Sequence, residues 1–266
     1  MSKDSRRRAI QAARQAEARR QRRRWAVIGG AAAAAIALAV AIPLATASGG
    51  TGPGGTGSGS AGSGSAGSGG TPSLTLKPLS TLGTLGAAPA PGADGSEGVP
   101  VPSAPALTAA ATKATGQTVD GIGCDTSEQT LFHIHAHLTI MVNGKPRQIP
   151  YGIGIPGDQP TQTPTGPFVE TGNCFYWLHT HAPDGIIHIE SPVKRTYTLG
   201  DFFDEWGQPL SSSRVGPDRG HVTALFNGQV YEGNPRDIPL NAHAQIQLEV
   251  GGPLVAPERI TFPNGL

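Results

Sequence analysis

"HIHAHLTIMVNGK" occupies residues 133–145, and its alternation decides the fold class. In an extended strand, successive side chains point to opposite faces. Ile134, Ala136, Leu138, Ile140 and Val142 then share an apolar face, and His133, His135, His137, Thr139 and Met141 share the other. Asn143-Gly144 favours a two-residue hairpin turn, because both central residues of that turn need φ > 0. "RQIPYGIGI" (147–155) supplies the return strand.

The same reading extends down the chain. "CFYWLHTH" (174–181) and "IIHIE" (186–190) flank the turn sequence "APDG" (182–185). A four-residue loop there pairs 178 with 189, 179 with 188, 180 with 187 and 181 with 186, so His179 faces His188 directly. Cys174, Leu178, Thr180, Ile187 and Ile189 make the core side. Trp177, His179, His181, Ile186, His188 and Glu190 make the other. "HVTALFNGQVYEG" (221–233) carries a second Asn-Gly turn, and "AHAQIQLEVG" (242–251) alternates again, with Ala244, Ile246, Leu248 and Val250 on one side. "TLGDFFDEWG" (198–207) is the exception. Thr198 with Asp201 forms a capping-box pattern, and Leu199, Phe202, Phe203 and Trp206 follow the i, i+3, i+4, i+7 spacing of a helix packed on the sheet. The expectation over 116–266 is therefore a mainly β (β-rich α+β) domain of antiparallel hairpins with one short helix. That length buries a core without help. "HLTIMVNGK" (137–145) and "HVTALFNGQ" (221–229) also echo each other, each followed by a "PR-x-IP" stretch. If both descend from one duplicated unit, His137 and His221 share a structural role; a match this short also arises by chance.

Upstream, the composition changes. The chain has 266 residues and a formal net charge of +1, yet ten of its 20 Lys/Arg fall in residues 1–24, against only Asp4 and Glu17. Residues 25–47, "WAVIGGAAAAAIALAVAIPLATA", carry no charge. About 20 apolar residues span a bilayer as a helix, and basic flanks stay on the cytoplasmic side. This predicts a single-pass anchor with the N-terminus inside and the C-terminal domain extracytoplasmic. A cleaved signal peptide ending at "ATA" is the rival. The arginine run serves topology and anionic lipid rather than nucleic acid. Residues 48–115, Gly/Ser-rich and then Pro/Ala-rich, lack periodicity and are expected as a disordered linker with a reach on the order of 45 Å.

Two features bear on chemistry. The chain has two cysteines, Cys124 and Cys174, an even count that favours a disulfide in an exported domain. Six of its eight histidines lie in 133–188. Neutral imidazole is the commonest protein metal ligand, and i, i+2 histidines on a strand sit about 6–7 Å apart on one face. His135, His137, His179, His181 and His188 form the candidate ligand set for copper or zinc, with Glu190 as an orienting group or extra ligand. His221 and His243 are expected to be structural. No G-x-S-x-G, H-E-x-x-H or P-loop motif occurs, so no catalytic residue is assigned.

"CFYWLHTHAPDGIIHIESP" with "YTLGDFFDEWGQPL" resembles a family of uncharacterised exported or membrane-anchored bacterial proteins, over roughly residues 120–252. The resemblance implies a compact β-rich extracytoplasmic domain and brings no activity with it. Three readings stand: a metal-binding domain for storage, delivery or sensing; a metal-dependent enzyme with an open coordination position; and a metal-free interaction module at the cell surface.

Overall fold

The computed structural model describes residues 74–109 and 114–266, all within the unit Ser68–Leu266. The basic segment 1–24, the apolar stretch 25–47 and the linker portion 48–73 lie outside the described residues. Among the described residues, no helix is long and apolar enough to cross a membrane.

Eight strands make the main sheet: β1 (Leu76–Lys77), β2 (Phe132–Val142), β3 (Lys145–Arg147), β4 (Leu178–His179), β5 (Ile186–Ser191), β6 (Val222–Phe226), β7 (Gln229–Tyr231) and β8 (Gln245–Val250). The order across the sheet is β1-β7-β6-β8-β2-β5-β4, with β3 also paired to β2. β2 is the organising strand. One edge pairs with β8 over His137–Val142; the other pairs with β5 over Phe132–His137 and then with β3 over Ile140–Val142. Both Asn-Gly turns form as expected, with Asn143 and Asn227 each at φ 51 and glycine following.

One helix, α1 (Leu199–Trp206), lies against this sheet, and its capping box is present: Thr198 Oγ1 accepts from Asp201 N–H while Asp201 accepts from Thr198 N–H. Leu199, Phe202, Phe203 and Trp206 are fully buried and join Ala136, Leu138, Ile140, Ile187, Ile189, Ile246 and Leu248 in one core cluster. Each such side chain contributes about 1.5–3 kcal/mol by leaving water. The helix also buries Glu205, whose carboxyl is pushed well above its usual range by desolvation. The apolar stripe alone did not foretell that.

The Cys124–Cys174 disulfide is formed. It joins the short pair Cys124–Asp125 and Phe175–Tyr176 just ahead of β4. Closing a loop of sequence separation 50 restricts the unfolded chain by about 4 kcal/mol in the chain-entropy account.

The structure corrects four expectations. First, beside the expected antiparallel hairpins stands one pair that was not foreseen: β8 and β2 are parallel neighbours. Parallel pairing needs a crossover, which no local turn signal encodes. Second, the return strand after Asn143-Gly144 is only Lys145–Arg147. Ile149, Ile153 and Ile155 are instead buried from an irregular loop. Gly154 lets that loop run against β4: its φ is 72°, and a Cβ there would stand 2.2 Å from Leu178 O. Third, Trp177 interrupts the 175–179 stretch and packs toward the core side against Tyr197, 6.4 Å between ring centroids, rather than sharing the histidine face.

Fourth, residues 74–109 do not behave as linker. β1 adds a strand to β7, Gly86 bridges Val255, Asp94 bridges Pro100, and Ala106 bridges Gln148. Val99 and Leu107 are buried. Prolines remove backbone donors and preclude a ladder, so the segment is held by isolated bridges and single anchored side chains. Neither leaves a periodic trace in sequence.

Candidate metal centre

The site grows from the register of three strands. β5 lies between β2 and β4, so the two histidine-bearing stretches are not direct neighbours. β5 joins them. His188 pairs with His135 on one side and with His179 on the other, which puts three imidazoles in a row across the sheet. His133 pairs with Glu190 and His137 with Ile186 in the flanking rows. Directly opposed residues bring their Cβ atoms to about 4.5–5.5 Å, close enough for ring nitrogens to meet.

They meet in two groups. In the first, His133 Nε2 lies 3.0 Å from His135 Nε2, and His135 Nε2 lies 3.1 Å from His188 Nδ1. Glu190 Oε1 closes the ring, 3.5 Å from His188 Nδ1 and 3.0 Å from His133 Nε2. In the second, His179 Nε2 and His181 Nε2 lie 3.1 Å apart, with Glu128 Oε1 3.4 Å from His181 Nε2. His188 stacks on His179 with ring centroids 5.4 Å apart, so the groups adjoin.

Supporting contacts orient the rings. His188 Nε2–H donates to Glu97 Oε1 at 2.8 Å, leaving Nδ1 toward His135. His179 Nδ1–H donates to Tyr176 O at 2.8 Å, and His181 Nδ1–H donates to Val169 O. A carboxylate or carbonyl behind each imidazole is the usual arrangement around a metal-bound histidine. Phe168 stacks on His181, 5.1 Å between ring centroids.

His137, one of the expected ligands, is not brought into either group. Its Nε2–H donates to Asp184 O at 2.9 Å. Gly185, at φ 85° and with its would-be Cβ 3.0 Å from His137 Nε2, gives the ring that room. His133 takes a place that the candidate set did not give it. Glu97 and Glu128 were missed outright. His243 stays apart, with Nε2 on Leu266 O and its ring stacked on Phe262.

Burial sets the electrostatics. His135, His179, His181, His188, Glu190 and Glu97 are all buried, whereas the His133 and Glu128 side chains keep 37% and 38% of their exposure. Those two therefore mark the solvent side of the cluster. Desolvation, then the neighbouring His188 and His133, push His135 down to about 2. Desolvation takes His181 down to about 4 and holds His179 well below its usual value. His188 goes the other way. Burial opposes its charge, but Glu97 and Glu190 outweigh burial and raise it to about 10. Glu190 is likewise held well below the carboxylate range against its burial, by His133 and His188. Burial, with Glu190 beside it, raises Glu128 to about 7.

These buried His and Glu groups lie close enough to hold a metal ion. Ligand atoms around one ion with bonds of about 2.1 Å stand about 3.0 Å apart in octahedral and 3.4 Å in tetrahedral geometry, and the contacts of the first group bracket that range. No family model matches the chain, and neither a curated protein nor a solved structure matches it.

Proposed function

We propose that this chain is a membrane-anchored bacterial protein whose β-rich domain, outside the cytoplasm, binds a divalent transition metal, zinc or copper(II). The ligands are His133, His135, His188 and Glu190. One observation carries the reading: three imidazole nitrogens and one carboxylate oxygen close a ring with edges of 3.0–3.5 Å. Imidazole and carboxylate suit zinc and copper(II), while copper(I) prefers thiolates, and both cysteines are consumed in the disulfide. The charge-free stretch 25–47 behind a basic N-terminus supports the anchor, and the disulfide agrees with an oxidising compartment. The resemblance over 120–252 points the same way.

A second reading has its own support. His188 lies between Glu97 and Glu190, an arrangement that suits an imidazolium ion pair without metal. The two readings part on one experiment. The full chain is loaded with Zn(II) or Cu(II), dialysed at neutral pH and assayed for bound metal. Retention that is lost in His135→Ala and His188→Ala but kept in His243→Ala supports the metal centre. Failure of the folded wild-type chain to retain either ion overturns it in favour of the metal-free ion pair.

A further inference from the structure

The second histidine group is not explained by the first ion. Ligand atoms lying within 4.8 Å of one another fall, among the described residues, into three sets: His133, His135, His188 and Glu190; His179, His181 and His188; Glu128, His179 and Glu190. No set unites the 133/135 pair with the 179/181 pair. Ligand bonds of about 2.0–2.2 Å keep all the atoms on one ion within about 4.4 Å of each other. One ion therefore cannot collect both pairs.

Hydrogen bonding does not account for the second pair either. His179 and His181 each spend Nδ1–H on a backbone carbonyl, Tyr176 O and Val169 O. In a neutral imidazole the other nitrogen is then a lone pair. Both Nε2 atoms consequently present lone pairs to each other across 3.1 Å, in a place where both rings are buried. Two acceptors at that distance repel unless something electropositive lies between them. A divalent ion on His179 Nε2 supplies that charge beside His181. Glu190 stands on the border of the two groups. Its Oε1 faces His133 and His188, its Oε2 is buried, and its carboxylate also meets that of Glu128 in a side-chain hydrogen bond. The Glu190 carboxylate also belongs to the set containing His179 and Glu128.

We propose that the centre is dinuclear: a second divalent ion is held by His179, Glu128 and the Glu190 carboxylate, and that carboxylate bridges it to the ion on His133, His135 and His188. This rests on the metal-binding reading above and adds the count and the bridge. Paired ions sharing a carboxylate stand about 3.5–4 Å apart, a separation at which two copper(II) ions couple magnetically. The half-exposed Glu128 puts the second position next to solvent, as His133 does the first.

The test is stoichiometry and spin. The full chain is saturated with Cu(II), dialysed and assayed for copper per chain, and the same samples are read by electron paramagnetic resonance. The proposal expects two copper ions per wild-type chain with a signal well below two spins. His179→Ala and Glu128→Gln each return the chain to one copper with a full one-spin signal. Circular dichroism confirms that the variants are folded, and the wild-type count stands even if a variant is not. One copper per wild-type chain, unchanged in His179→Ala, overturns the second position and leaves the first intact. Two copper ions with two full, uncoupled spins overturn the bridge. No retained copper in the folded wild type overturns the proposal together with the reading beneath it.

Discussion

Strand β2 has two buried faces, and they are held for opposite reasons. On one, Ala136, Leu138, Ile140 and Val142 pack with the α1 residues Phe202, Phe203 and Trp206. Burial there is itself the stabilising term. On the other, His135, His137 and Thr139 are equally buried, yet burial costs about 1–3 kcal/mol for each polar group left without a partner. The second face is affordable only because its groups are matched to carbonyls, carboxylates and one another. The comparison teaches that the apolar face sustains the fold, while the polar face gathers groups close enough to hold a metal ion.

Three substitutions sharpen or break that division. Leu138→Ala, on the apolar face, should cost about 2–5 kcal/mol of stability, read by denaturant unfolding of the metal-free chain. Metal bound per folded chain should not change; a fall in metal affinity with intact stability would erase the distinction between the faces. Glu97→Gln, behind the polar face, should weaken metal binding by about 10–100-fold in a chelator competition. Unchanged affinity would reduce Glu97 to a tie for its own segment. Thr198→Ala removes the α1 cap and should cost about 1 kcal/mol, a fall of about 2–4 °C in Tm. It should leave affinity untouched, since the cap serves only the apolar side.

How far the sequence foretold each face follows the same physics. The apolar face rests on periodicity, so 133–142, 244–250 and the α1 stripe were all legible, as were the two Asn-Gly turns. The register that sets His179 against His188 was legible too, although of the four expected pairs only 178–189 and 179–188 form, because Thr180 and His181 bond instead to Ile153 and Val169. The polar face depends on ring direction and on partners remote in sequence. Parity put His137 with His133 and His135, but nothing local says that its ring turns to Asp184 O. Glu190 was marked as an orienting group or extra ligand, and it closes the first ring. Glu97 lies 91 residues from His188, inside a Pro- and Gly-rich run whose only signal was the absence of one. The parallel β8–β2 pair was hidden for a related reason, since non-local pairing leaves no trace in either strand.

Glu97 also changes what counts as the protein's working part. Every histidine and both cysteines lie beyond residue 116, so a fragment cut there would look complete by inventory. It would nonetheless lack the carboxylate behind His188 and the edge strand β1. Proteolytic trimming upstream of the sheet would thus disable the proposed metal capture without removing a single histidine, and the segment that reads as tether is where such a cut would act.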